Sequence, residues 1–409
     1  MGDVSVVATP GTTGLVLAFV GTGVVLGTLS GLTPGLHANN FALLLGAVAP
    51  AIPGPPGHVA AAMLAAAVVH TFLDIVPALS LGVPDAAMAA SALPGHRLVL
   101  AGRGREALRL SALGSLLAIA FAVPLAIPLT EAMVAANPTI RDHLPTLLAV
   151  VAVLLVTTEP DRRARLGAAL SLGASGLLGL ATLDLSLQAP LGSGSVLTPL
   201  FAGLFGAPVL VEALGGQGVP PQDDPVVGPS RAAVVAVALV GTLAGAIVGF
   251  LPGISSAIAA TGALVILPSR GPRAFVVATS GVNTANAVFA LFALLALGSP
   301  RTGVLVAVDQ AGLPLHLPLL LGAIGVAAGA GFLLVLAVGD RYLAVVGRVP
   351  QWIVSGTVTL GLAVLSVLFA GGIGLGIFVA ATAVGLVPGR FQCRRASLMG
   401  VLLVPLALG

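Results

Sequence analysis

Lysine is absent, and cysteine, tryptophan and tyrosine each occur once in the 409 residues. The lone Cys393 excludes an internal disulfide and any cysteine-built metal cage. Charge is scarce too: 8% of residues are charged, against about 25% in a soluble globular domain. From Val4 to Leu73 there is no Asp, Glu, Lys or Arg, enough chain for two or three membrane passes at about 20 residues each. A formal net charge of +3 is too small to argue for a nucleic-acid partner. All 17 basic residues are arginine, which a GC-rich genome explains as well as a need for forked contacts to phosphate or carboxylate. MGDVSVVATPGTTG has no basic n-region, so no cleaved signal peptide is expected. No polar segment is long enough for a soluble domain.

What is present is apolar. Hydrophobic residues make up 57% of the chain, and the mean hydropathy is +1.13. The apolar runs are continuous rather than alternating, which excludes a β-barrel pattern. Glycine (54) and proline (30) are abundant, as membrane helices tolerate when neighbours re-satisfy the backbone. The expected fold is all-α and polytopic, embedded in a membrane.

One stretch occurs twice. Residues 23–50 and 241–268 share G-x3-G-x3-G-x2-P-G-[LI] and a closing proline in one ungapped register, Gly23, Gly27, Gly31, Pro34, Gly35 and Pro50 falling on Gly241, Gly245, Gly249, Pro252, Gly253 and Pro268. The apolar segments that follow also match between the halves, and Leu81-Gly82-x-Pro84 aligns with Leu297-Gly298-x-Pro300. This reads as an internal duplication: a first membrane repeat over 12–214, a linker over 215–231, and a second repeat over 232–408.

Arginine placement predicts that the repeats are inverted. Loops at 96–109, 159–165, 270–273, 341–348 and 390–395 are basic, whereas their counterparts in the other repeat are neutral or nearly so. Basic loops face the cytoplasm, so equivalent loops sit on opposite sides. Five crossings per repeat after a hairpin, with 108–130 and 145–157 as separate segments, meet that parity. They put the N-terminus outside the cell membrane. Residues 12–31 are either the arm of a re-entrant hairpin or a full span.

The Pro-Gly pairs carry the chemistry. Proline blocks helix continuation and glycine permits backbone angles that other residues avoid. A helix restarting beyond them exposes unpaired N–H groups and a positive dipole end. At membrane depth such a tip must line a protein cavity or meet a ligand. Two tips facing each other would cradle an anion. The candidate binding residues are therefore Pro34, Gly35, Leu36, His37, Asn39 and Asn40 in the first copy and Pro252, Gly253, Ser255 and Ser256 in the second. The repeated glycines before them are expected to serve close helix packing. Asn283 and Asn286 are expected to line the same cavity. Arg301 either meets an anionic solute or pairs with Asp85 or Asp309. His70 and Asp74 share a helical face within an apolar run; with Asp85 they are candidates to carry a coupling ion, Na⁺ or H⁺, unless they form a self-satisfied structural pair. No other cofactor and no metal centre is expected.

These residues carry a family resemblance. The repeated motif, GVPDAAMAASALPGHRLVLAGRGREALRLSALGS (82–115), SVLTPLFAGLFGAPVLVEAL (195–214) and GLVPGRFQCRRASLMGVLLVPLAL (385–408) resemble the TctA-like large membrane subunit of tripartite tricarboxylate transporters, in its archaeal-type branch. The resemblance implies a secondary-transporter permease for small organic acids, working with a small membrane subunit and a periplasmic binding protein. A different class remains open: translocases of polyprenyl-phosphate lipid carriers also use inverted repeats with broken helices around an anionic head group. A closed aqueous cavity favours the carboxylate, a slot open to lipid favours the prenyl tail. No catalytic residue is expected, since H-E-x-x-H, a Walker motif and a serine with a basic partner are all missing. The oligomeric state, a homo-oligomer included, is left open.

Overall fold

The computed structural model describes residues 10–34, 36, 38–82, 92–190, 195–214, 219–251, 256, 259–260, 262–263 and 271–408. The first half contains α1 (Pro10–Leu32), α2 (Ala38–Val48), α3 (Pro56–Leu73), α4 (Ile75–Leu81), α5 (Ala92–Leu100), α6 (Gly104–Thr157), α7 (Arg162–Thr182), α8 (Leu197–Phe201) and α9 (Ala207–Ala213). An extended segment leads to α10 (Arg231–Phe250), α11 (Pro272–Leu297), α12 (Gly303–Gln310), α13 (Leu317–Val346), α14 (Gln351–Gly385), α15 (Val387–Phe391) and α16 (Gly400–Leu408). Among the described residues there is no strand, and eight helices are long and apolar enough to cross a membrane. The chain is an all-α, multi-pass membrane protein.

The duplicated glycines are packing residues. A β-carbon on Gly23 or Gly27 of α1 would stand 2.2 Å or 2.3 Å from the Ala62 or Ala66 carbonyl oxygen of α3, and one on Gly31 would stand 2.8 Å from Leu73 Cβ. On α10, Gly241, Gly245 and Gly249 meet α11 in the same way, at 2.7 Å from the Ala278 oxygen, 3.0 Å from the Val282 oxygen and 2.7 Å from Phe289 Cβ. The residues met on α11 lie 216 positions beyond their equivalents on α3. Because backbone oxygens cannot swing aside, Gly27→Ala is expected to lower stability by about 1–3 kcal/mol. Gly21→Ala, which meets nothing within 4 Å, should be neutral in the same thermal-unfolding measurement.

Contacts at the helix ends fix direction. Gly57, at the start of α3, lies against His316 and Leu319 at the start of α13. Arg273, at the start of α11, instead bonds Glu106 at the start of α6. The far part of α13 returns to that second end, where Arg109 binds Asp340 at 2.5 and 2.7 Å; Leu317 to Asp340 covers about 35 Å of helix. The equivalent helices α3 and α11 therefore begin at opposite ends of the molecule, as inverted repeats require. Arg103 and Arg109 at the start of α6, Arg273 at the start of α11 and the far part of α13 gather at one of those ends.

The same contacts resolve the first hairpin. Near the start of α3 the Phe19 ring meets His58 edge-on at 5.8 Å, whereas Gly31 lies beside the His70 oxygen and the Asp74 nitrogen. Thus α1 descends along α3, turns at the level of Asp74, and α2 leads back to Pro56. α1, 23 residues long, is thus one arm of a hairpin whose turn lies beside Asp74. From the opposite end α10 descends along α11 and stops with Gly249 beside Ala290.

Several breaks have local causes. Pro77 has no N–H to offer the Leu73 carbonyl, so the helix is interrupted at Asp74 between α3 and α4. Gly82 and Gly298 end α4 and α11 in the left-handed region, at φ +69° and +59°, as their matched positions predict. Gly371 kinks α14 at φ +63°. One expectation fails: 131–144 is not a loop between two segments. α6 runs unbroken for 54 residues, about 81 Å, through Pro124, Pro128, Pro138 and Pro145. Its second-half counterpart is interrupted between α13 and α14 by Gly347–Pro350.

Among the described residues two large hydrophobic cores and two small clusters result, and the large ones cut across the repeats. The larger draws on α1–α6 and α10–α13. The smaller joins the far part of α6 with α8, the π-helical turn Ala202–Gly206, the far part of α14 and α16.

Candidate functional site

Near the middle of the molecule α3 crosses α11, and polar side chains collect there. Asp74 is 4% exposed and accepts a 2.8 Å hydrogen bond from Asn283 Nδ2. One turn earlier, the fully buried His70 places Nδ1 2.9 Å from Ser30 Oγ and stacks on Phe41 of α2 at 6.3 Å. Thr71 donates to Thr284 at 3.2 Å, and the Thr284 hydroxyl donates in turn to Ser115 of α6 at 2.8 Å. Ser111 and Ser280 extend this line at 2.8 Å. Asn286, one turn past Asn283, keeps a buried Oδ1 without a hydrogen-bond partner.

The structure thus brings together His70, Asp74, Asn283 and Asn286 on the two crossing helices. Pro34 and Leu36 lie in the turn below α1, where Leu36 N–H bonds the Thr33 carbonyl at 3.2 Å. Ser256 is buried. Gly35, His37, Asp85, Pro252, Gly253 and Ser255, and the side chains of Asn39 and Asn40, fall outside the described residues. Arg301 stands apart, in the turn between α11 and α12, about 16 Å of helix beyond Asn286. It forms no ion pair with Asp309.

The arrangement suits small, hard cations. A carboxylate, a carboxamide and several hydroxyls at one depth supply the oxygen ligands that hard cations take. Among the described residues no three His, Cys, Asp or Glu side chains converge. The ends of α1 and α10 stop close by, beside Asp74 and Ala290 on the crossing pair.

Sequence reasoning missed Ser30, the hydroxyl line from Thr71 to Ser111, and Glu106. Ser30 hides inside the glycine motif. Serine and threonine at helical spacing in apolar runs were the available signal, but partners on other helices are invisible in sequence. Glu106 is 2% exposed and accepts from Arg273 Nε and Nη2 at 2.7 and 2.9 Å, from Gly228 N–H at 2.9 Å and from Arg103 at 3.4 Å. One carboxylate thereby ties α6, α11 and the connecting segment. Gln222 adds a second tie, taking the Gly104 N–H at 2.6 Å and giving to the Val99 carbonyl at 3.0 Å. His96 holds the Leu79 carbonyl at 2.6 Å, and burial pushes its pKa below the ordinary histidine value.

A profile described as "Tripartite tricarboxylate transporter TctA family" matches residues 17–400. An uncharacterized protein of Methanocaldococcus jannaschii, MJ1079, is 29% identical over 293 residues, covering 70% of this chain and 71% of that one. No solved structure matches.

Proposed function

The chain belongs to the tripartite tricarboxylate transporter TctA family, and from that premise we propose that it is a secondary transporter of a small organic carboxylate. The observation that carries this reading is that two helices entering from opposite ends of the molecule stop on the crossing pair, α1 beside Asp74, which binds Asn283, and α10 beside Ala290, two turns further along α11. Each end precedes a Pro-Gly pair. The helices restarting beyond them turn bare N–H groups toward the solute. Leu36, His37, Asn39 and Asn40 from one tip and Ser255 and Ser256 from the other surround it, with Asn283 and Asn286 behind.

His70 and Asp74, with Asp85, carry the coupling ion, Na⁺ or H⁺. An intramembrane carboxylate is expensive unless it does such work. Alternating access moves the larger core against the smaller one, with α6 and the kinked α14 as the connections. The basic end faces the cytoplasm, so the α1–α2 hairpin opens from outside the cell membrane and the N-terminus lies outside. A small membrane subunit and a solute-binding protein complete the assembly that the family description names as tripartite. The two repeats are 12–214 and 232–408, joined by 215–231.

The test is a thermal-unfolding screen of the purified chain, followed by uptake into proteoliposomes. Citrate or another di- or tricarboxylate should stabilise the protein, and a Na⁺ or proton gradient should drive uptake of the same compound. Stabilisation by a polyprenyl phosphate and by no carboxylate would overturn the reading in favour of a lipid-carrier translocase.

A further inference from the structure

At the end of the molecule poor in basic residues, the turn between α11 and α12 buries polar atoms that nothing satisfies. Arg301 Nε and Thr302 Oγ1 are both out of solvent contact and without a hydrogen-bond partner. Thr302 occupies the N-cap of α12, a place where a threonine hydroxyl ordinarily takes a backbone N–H, yet its side chain caps nothing. Among the described residues no carboxylate pairs with Arg301. The charge acting on it is a second cation, Arg141 on the exposed stretch of α6: burial first and Arg141 second push the guanidinium below its ordinary pKa. A native fold rarely leaves a buried guanidinium nitrogen unmatched.

Position adds meaning. α11 starts at the basic end with Arg273 and finishes at the other, so Arg301 sits on the side that the proposed topology turns outward. Behind it α12 packs on α2, the returning arm of the first hairpin, where Gly46 lies against Ala307. The turn therefore adjoins the hairpin whose tip reaches the crossing of α3 and α11.

We propose that Arg301, Thr302 and Arg141 form an outer station that holds a carboxylate before it reaches the crossing. This rests on the carboxylate-transport reading for its ligand, but the site is separate from the central one. Arg301 supplies the fork that matches a carboxylate, Thr302 a hydroxyl donor, and Arg141 the longer-range pull that raises the local anion concentration.

The experiment uses the full chain in detergent, with citrate and sulfate as probes, and compares wild type with Arg301→Met and Arg141→Gln. Citrate is expected to bind Arg301→Met at least roughly tenfold more weakly, in keeping with the loss of a hydrogen bond to a charged group. Without ligand, Arg301→Met should unfold no lower than wild type, because it removes a desolvated charge that has no partner. Arg141→Gln, at an exposed position, should weaken citrate binding severalfold at low salt and little at high salt.

Citrate affinity unchanged in both variants would overturn the station and leave the transport reading standing. Earlier unfolding of ligand-free Arg301→Met, with Arg141→Gln binding normally, would make Arg301 structural and also overturn it. If sulfate binds wild type in an Arg301-dependent way and citrate does not, the turn is an anion site but not a carboxylate station, and the carboxylate reading falls with it. If neither anion binds wild type, both fall.

Discussion

Asp74→Asn is expected to leave the protein folded and still stabilised by citrate, while uptake falls to the level seen without a gradient. Asparagine keeps the size of the side chain and an oxygen that can accept from Asn283 Nδ2, so the crossing of α3 and α11 keeps its 2.8 Å contact. What goes is the negative charge. If Asp74 holds the coupling ion, uptake by the variant becomes independent of the Na⁺ or proton gradient, while downhill exchange of citrate persists. Asp74→Ala removes the acceptor as well. It strands a buried amide at a cost of about 1–3 kcal/mol, so that variant should also unfold earlier. Gradient-dependent uptake at the wild-type rate in Asp74→Asn would remove the residue from the coupling role.

Glu106→Ala carries the largest expected loss of stability. Breaking a fully buried ion pair by removing one partner costs about 3–5 kcal/mol. Here the carboxylate is 2% exposed, but Arg273 is 33% and Arg103 51% exposed, and water recovers much of what the arginines lose. About 2 kcal/mol is the expected net effect, part of it from the Gly228 N–H left without an acceptor. Thermal unfolding of the purified protein reads this directly. A second readout follows from what Glu106 joins: limited proteolysis should cut the segment before α10 faster in Glu106→Ala than in wild type. Equal protection of that segment would mean that Gln222 alone holds it down.

The membrane class, the repeat and the broken helices were legible because they rest on composition and on glycine and proline, whose effects are local. Gly82 and Gly298 end their helices where the matched positions place them. The glycine triplets pack, as their spacing implies. His70 and Asp74 share a buried face, but their partners could not be read: Ser30, Asn283 and the hydroxyl line come from helices distant in sequence. The continuity of α6 was hidden for the opposite reason. A polar stretch with Asn137, Pro138, Arg141 and Asp142 reads as a loop, yet the helix continues through it, its flanks exposed. Arg109, counted only as one of several topological charges, turned out to be held by both oxygens of Asp340.

The division of the two cores has a consequence for biosynthesis. Leu148 and Leu155 share a cluster with Leu398, Met399, Val401 and Leu403, so the smaller core cannot close until the ribosome has delivered residues 398–403. Until then the far portion of α6 has only its first-half neighbours, among them Leu200 and Phe205, to pack against. Truncation just before Arg395 should therefore be punished by membrane quality-control proteases, even though such a chain would retain both Pro-Gly hairpins and every residue of the crossing.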